Sequence, residues 1–174
     1  MINDGKTVVQ YFKSIIPPEA ANALFEICRN SVCCNREGDR FVKWFAKKDY
    51  VYGGRTHEAC EVPDFLRIFI KCINLIFKSN TNSVLCNRYP TGNFYIPFHK
   101  DNEALFGVDP TIVSVSLGAK RDFILRGSKE VRVSLEHGSV LVMAKKSQTF
   151  WKHGILKDPY CKKERINLTF RKVL

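Results

Sequence analysis

Arg165-Ile166-Asn167-Leu168-Thr169-Phe170-Arg171 alternates polar and apolar side chains without a break. Ile166, Leu168 and Phe170 fall on one face, and Arg165, Asn167, Thr169 and Arg171 on the other, as a period-2 strand requires. Such a strand has two readings. With its polar face in water it is an ordinary amphipathic strand. With that face turned into a barrel, two arginines line a pocket, and paired guanidinium forks suit a dicarboxylate. Alternation by itself favours the first reading. The residues upstream favour the second.

Working outward, 174 residues suit one domain with a real core, and 45% hydrophobic content argues against wholesale disorder. There is no run of 18 apolar residues, so no membrane span is expected. Met1-Ile2-Asn3-Asp4-Gly5-Lys6 lacks the pattern of a secretory signal. Seven cysteines, with Cys33-Cys34 adjacent and Cys28, Cys60, Cys72, Cys86 and Cys161 scattered, contain no CxxC and form neither a disulfide framework nor a zinc knuckle. Free thiols in a reducing, intracellular compartment follow as the simpler expectation. The net charge of +11 favours a polyanionic partner, nucleic acid before membrane.

Pro17-Pro18 open a helix over 17–30, with Leu24, Ile27 and Cys28 at helical spacing. Pro63 opens a second over 63–78, whose apolar face reads Phe65, Leu66, Phe69, Cys72, Ile73 and Ile76. Residues 35–60 between them are basic and aromatic, broken by Gly53-Gly54, and read as short strands or a mobile segment. From residue 83 the pattern turns to strands, at 83–89, 94–99, 112–117, 121–126, 130–135, 139–143, 149–153 and 165–172. Turn signals at Pro90–Asn93, Asp109-Pro110, Gly127-Ser128, His137-Gly138 and Asp158-Pro159 separate several of them. This order predicts an α+β chain, a sandwich or jelly roll with two helices packed outside.

His99-Lys100-Asp101 puts an imidazole and a carboxylate on one face of a strand end, and His153 offers a third ligand from a later strand. Two histidines and a carboxylate on one facial edge leave open metal positions, which suits non-haem Fe(II) oxygenase chemistry. The same ligand types also hold zinc with a catalytic water. His57 and His137 have no such partners, and His137 reads as a turn residue. Oxygen activation at Fe(II) needs two further electrons, which 2-oxoglutarate supplies through its keto acid end. Its distal carboxylate then needs a fixed cation. Arg165 offers a bidentate fork, and Asn87 and Tyr89, sharing a face, add hydrogen-bond donors.

The ordered set Asn87-Arg88-Tyr89, Gly92, His99–Glu103, Ser114–Gly118, Glu136–Ser139, His153 and Arg165–Arg171 resembles the AlkB family of Fe(II)/2-oxoglutarate dioxygenases, over roughly the C-terminal half of the chain. Arg121-Asp122-Phe123 and Arg171-Lys172-Val173-Leu174 are similar to the duplex-DNA-repairing animal members, and Tyr52–Ala59 to the AlkB domains of RNA viruses, so both subfamilies stand.

The resemblance implies a double-stranded β-helix and oxidative demethylation of 1-methyladenine and 3-methylcytosine in DNA or RNA, releasing formaldehyde, succinate and CO₂. It implies iron held by His99, Asp101 and His153. Arg165, helped by Asn87 and Tyr89, would take the distal carboxylate of 2-oxoglutarate, with Arg171 and Asn167 near the metal-proximal one. Glu103 would meet the exocyclic amine of the damaged base, and Tyr52 would be a substrate-lid tyrosine. The domain is then 1–174, with helices and a substrate lid in 1–82, the lid at 35–60, and the jelly-roll core in 83–174. The lid is short for the family, which favours single strands over duplex.

Lys145, Lys146, Lys152, Lys157, Lys162 and Lys163 cluster around His153. Lys43, Lys47, Lys48 and Arg55 are interleaved with Phe41, Trp44, Phe45, Tyr50 and Tyr52. Both groups suit phosphate contacts and base stacking on a single-stranded or base-flipped nucleic acid. A monomer is expected, with no membrane partner. The competing expectations are a 2-oxoglutarate oxygenase acting on a protein or small molecule, an inactive nucleic-acid-binding module, and a zinc hydrolase.

Overall fold

Every residue of the Arg165–Arg171 strand is buried. Its apolar side packs on helices and its polar side faces into the molecule, so neither face meets water. The computed structural model describes residues 2–31, 35–37 and 40–174. Cys33, Cys34 and residues 38–39 of the expected lid lie outside the described residues.

Strands β1 (Ile2–Asn3) and β2 (Thr7–Phe12) precede helix α1 (Pro18–Ser31). Strands β3 (Asn35–Glu37), β4 (Arg40–Phe45), β5 (Tyr50–Tyr52) and β6 (Arg55–His57) lead to α2 (Asp64–Phe77). Then come β7 (Ser83–Tyr89), β8 (Ile96–His99), a 3-10 turn at Ala104–Phe106, β9 (Ile112–Gly118), β10 (Arg121–Arg126), β11 (Glu130–Leu135) and β12 (Ser139–Lys145). The chain closes with the short helix α3 (Ser147–Phe150), β13 (Lys152–Ile155) and β14 (Arg165–Arg171).

The sheets divide as a jelly roll does. The major sheet runs β1-β2-β12-β9-β14-β7-β4-β3, and the minor sheet β11-β10-β13-β8. The eight strands from β7 to β14 contribute four to each sheet, and β14 sits centrally between β7 and β9. A two-stranded hairpin, β5-β6, stands apart, with Gly53 and Gly54 both at positive φ in its turn. Two adjacent left-handed residues make the type I′ turn that matches strand twist, and glycine takes that conformation without a Cβ clash.

Ile166, Leu168 and Phe170 join Ala21, Leu24 and Cys28 of α1 and Leu66 and Ile73 of α2 in one core cluster. All three strand residues are fully buried, each contributing about 1.5–3 kcal/mol. A second cluster fills the space between the sheets with Phe123, Leu125, Leu141, Met143 and Trp151.

Several expectations change. The segment 149–153 is not one strand. Lys145 turns at φ 54, and α3 follows, its N–H groups of Thr149 and Phe150 donating to the Lys146 carbonyl, before β13 starts at Lys152. The sheet also reaches back beyond the expected 83–174 core. Strand β2 pairs with β12 and β4 with β7, so β4 is taken out of the expected 35–60 lid. Trp44, Phe45 and Tyr50, expected among the stacking rings, are core residues. The buried face of α2 is rotated from the expected one. Ile70 and Phe77 pack inward with Leu66, Phe69 and Ile73, while Cys72 and Ile76 face out. A helix this apolar offers two candidate faces, and the Phe69–Phe170 ring contact at 5.7 Å selects one. Among the described residues, no helix is long and apolar enough to cross a membrane.

Gly92 anchors the loop before the site. A Cβ there would lie 1.8 Å from the Asp158 carbonyl oxygen, inside a pair of backbone hydrogen bonds from Gly92 to Cys161 and from Asp158 to Gly92. Backbone cannot yield as a side-chain tip can. We expect Gly92→Ala to cost at least about 1–3 kcal/mol, read as a lower melting temperature, and an unchanged melt would contradict this packing.

Candidate active site

The polar face of β14 looks into a pocket between the two sheets, lined by Arg165, Asn167, Thr169 and Arg171 together with His99, Asp101 and His153. The two histidines are set by the minor sheet, because His99 on β8 pairs directly with His153 on β13. Their ring centroids are 4.3 Å apart. Asp101 lies two residues past β8. Its Oδ1 is 3.8 Å from His99 Nε2 and its Oδ2 is 3.8 Å from His153 Nε2. Ligand atoms of all three lie within 4.8 Å of one another.

Their electrostatics suit a cation. Burial pulls the Asp101 carboxyl up, but the Arg171 guanidinium and both imidazoles outweigh it and hold the group well below the usual carboxylate range. Burial lowers the His153 pKa to about 3, helped by His99, and burial also lowers that of His99. At neutral pH both rings are uncharged and keep lone pairs for a metal. His99 Nδ1 sits 2.9 Å from the Pro97 carbonyl oxygen, which leaves Nε2 as its ligand atom. Phe123 stacks on His153 at 5.2 Å and fixes that ring from the core side.

Arg165 enters the same cavity from the sheet opposite. It is 1% exposed. Its Nη2 donates to Ser116 Oγ at 2.9 Å, and the Tyr89 ring lies 5.3 Å from the guanidinium carbon. Nε and Nη1 are buried with no hydrogen-bond partner among the described residues. Burial pushes its pKa down to about 10, opposed by Tyr89. A buried cation with two open donors is costly unless an anion completes it. A carboxylate is the group that fits a planar fork. The site thus fits 2-oxoglutarate and Fe(II) on its own chemistry: a facial His-Asp-His donor set at one side and an incomplete guanidinium clamp at the other.

The remaining expected residues fall as follows. Tyr89 and Asn87 pair directly with Arg165 and Asn167 across β7-β14 and line the cavity. Asn87 Oδ1 accepts from Arg40 Nε at 2.9 Å, which turns its amide donors away from Arg40. Asn167 Nδ2 donates to Ser114 Oγ and the Val115 carbonyl, and its Oδ1 accepts from Thr169, so its polar atoms already have protein partners. Arg171 is buried too. Both Nε and Nη2 reach Asp101 Oδ2, at 3.3 and 2.8 Å, and the Phe106 ring lies 5.0 Å away. It orients the carboxylate ligand and leaves Oδ1 clear of the guanidinium. Tyr52 lines the cavity mouth and meets His99 edge-on at 5.9 Å. Glu103 accepts from Tyr50 Oη at 3.0 Å, and its Oε2 is buried without a partner among the described residues. Burial raises the Glu103 pKa.

Three contributors were not singled out for the site in the sequence. Arg40 carries no motif. Tyr50 sat among the stacking aromatics but serves as the partner of Glu103. Gln148 accepts the Asp101 backbone N–H at 2.9 Å. Arg121, noted only for its likeness to other chains, is a structural clasp that donates to the carbonyls of Thr91, Gly92, Phe94 and Leu156. His137, expected as a turn residue, accepts the Gly118 N–H at 2.8 Å. Lys145, Lys146, Lys152, Lys157, Lys162 and Lys163 are all exposed, with Lys157 Nζ 4.8 Å from the Tyr95 ring. The described cysteines are free thiols.

Residues 9–171 match the 2OG-Fe(II) oxygenase superfamily. The chain is 30% identical over 180 residues to an alpha-ketoglutarate-dependent dioxygenase alkB homolog 3 of Bos taurus, covering 89% of this chain and 62% of that one. It is 36% identical over 153 residues to a DNA oxidative demethylase ALKBH2 of Arabidopsis thaliana, covering 71% and 49%. It therefore spans about half to three-fifths of the length of these relatives. The solved structure of OsALKBH1 superposes with a TM-score of 0.68 at 17% identity, covering 94% of this chain and 97% of that one. A Pseudomonas putida prolyl-4-hydroxylase superposes at 0.61 and 16%, covering 94% and 92%, so the architecture is shared more widely than the sequence. The chain belongs to the 2OG-Fe(II) oxygenase superfamily, and within it is similar to the AlkB homologues.

Proposed function

We propose that the protein oxidatively demethylates N-methylated bases in single-stranded or base-flipped nucleic acid. The observation that carries this reading is the single cavity that joins the His99-Asp101-His153 triad to the open clamp of Arg165, beneath a mouth formed by Tyr52. Fe(II) with 2-oxoglutarate and O₂ would supply the oxidant that hydroxylates the methyl carbon, with succinate and CO₂ as the cosubstrate products. The hydroxylated base then releases formaldehyde.

The chain's residues do the holding. Arg165 Nε and Nη1 take the distal carboxylate, and Asn87 donates beside them. Tyr52 offers a ring face to a flipped base. Glu103 Oε2 accepts from its exocyclic amine, and its charge favours the cationic 1-methyladenine and 3-methylcytosine. The β5-β6 hairpin is the part of the expected lid that stands at the mouth. The exposed lysines around β13 hold the phosphate backbone. The similarity to relatives named as DNA oxidative demethylases supports this substrate class. We further place the protein in a reducing, intracellular compartment, as a monomer.

The test is to incubate the protein with Fe(II), 2-oxoglutarate and methylated single-stranded DNA, duplex DNA or RNA, and to weigh the products. We expect loss of one CH₂, ~14 Da by atomic mass, first from single strands. Succinate formed with no oligonucleotide changed would favour a protein or small-molecule substrate.

A further inference from the structure

We propose that α3 is a bracket for the metal site and that Gln148 is its positioning residue, fixing the Asp101 backbone so that the carboxylate meets the two histidines. This rests on the triad being a metal site. The sheet ladder places His99 and His153, since the two are directly paired. It does not place Asp101, which lies beyond the last residue of β8. The position of that carboxylate must come from elsewhere.

Two contacts supply it. Arg171 grips Oδ2 of the side chain. Gln148 Oε1 accepts the Asp101 N–H at 2.9 Å, across 47 residues of sequence. Both Asp101 and Gln148 are 2% exposed, so no water competes for this bond. The amide is locked from its other end as well, since Nε2 contacts Met143 Sδ at 3.6 Å and Ser147 Oγ at 3.4 Å. With the oxygen facing a donor and the nitrogen facing acceptors, only one amide orientation satisfies the site.

The neighbours of Gln148 hold the same loop. Lys100 Nζ donates to the Thr149 carbonyl, and Thr149 Oγ1 donates to Asp109 Oδ1 at 3.1 Å. Residues 100, 101 and 109 are thus tied to the one helical turn that immediately precedes His153. A shift of α3 would move Asp101 relative to the two paired histidines. Outer partners of this kind typically set metal affinity by 10–100-fold.

The test uses Co(II) titrated into the metal-free protein, read by its visible absorption and by calorimetry. Gln148→Met keeps the volume and loses the acceptor. We expect about 10–100-fold weaker Co(II) binding with a cooperative melt retained. Gln148→Ala should bind Co(II) as weakly as Gln148→Met, because the hydrogen bond and not the bulk is at issue. Wild-type affinity in Gln148→Met would overturn the bracket. Failure of the wild-type protein to bind Co(II) would instead overturn the metal site itself, and the bracket with it.

Discussion

Arg165→Met should abolish measurable 2-oxoglutarate binding while the metal site still fills. Two charge-assisted hydrogen bonds, at about 1.5–3 kcal/mol each, correspond to roughly 10²–10⁴ in affinity. Arg165→Lys should recover little of this, because an ammonium is a point charge and cannot present two parallel donors. Arg165→Met should also raise the melting temperature of the ligand-free protein. Burial lowers the Arg165 pKa from 12.5 to about 10, a cost on the order of 3 kcal/mol that a methionine of similar length does not incur. Lost ligand binding with gained stability is a signature that misfolding cannot produce. Calorimetry with 2-oxoglutarate and a thermal melt of the same sample check both. Equal loss of Co(II) and 2-oxoglutarate binding would show instead that Arg165 holds up the fold.

Asp101→Asn carries the second large effect. The amide nearly preserves shape and can still accept from Arg171, but it removes the charge that draws the cation. Turnover should fall at least about 10³-fold, equivalent to ~4 kcal/mol. Asp101→Ala is the poorer variant, because it strands Arg171. That guanidinium is 2% exposed and pairs with Asp101 Oδ2 at 2.8 Å. Breaking a buried pair by removing one partner typically costs about 3–5 kcal/mol. The alanine protein should therefore melt well below the asparagine protein while both are inactive. Similar melting temperatures would mean that the pair contributes little to the fold.

Much of this site was legible in the sequence. Strand β14 was legible because its alternation is unbroken, and its register against β7 then brings Asn87 and Tyr89 opposite Asn167 and Arg165. Alternation cannot say which face is covered, since that depends on α1 and α2 packing behind the sheet. Strand β2, Thr-Val-Val-Gln-Tyr-Phe, pairs its apolar residues side by side and so hides its period. Strand β4 alternates Arg40, Val42 and Trp44 inward, but its basic and aromatic content resembles a binding segment. The α3 turn is four residues long, too short for helical periodicity to register. Gln148 and Arg40 act on Asp101 and Asn87 from 47 residues away in each case, and no local pattern reports such a contact. Arg171 could be placed on the strand but not given its partner, because its contact with Asp101 depends on how the two sheets face each other.

The proposed reaction couples 2-oxoglutarate turnover to removal of a methyl group from a nucleic-acid base within one cavity. It is tested most directly by quantifying succinate, formaldehyde and unmethylated base together, on a single-stranded oligonucleotide carrying one 1-methyladenine. Equal amounts of all three are expected, dependent on Fe(II) and lost in Arg165→Met. Succinate accumulating at the same rate with methylated and unmethylated strands, and no formaldehyde, would contradict it.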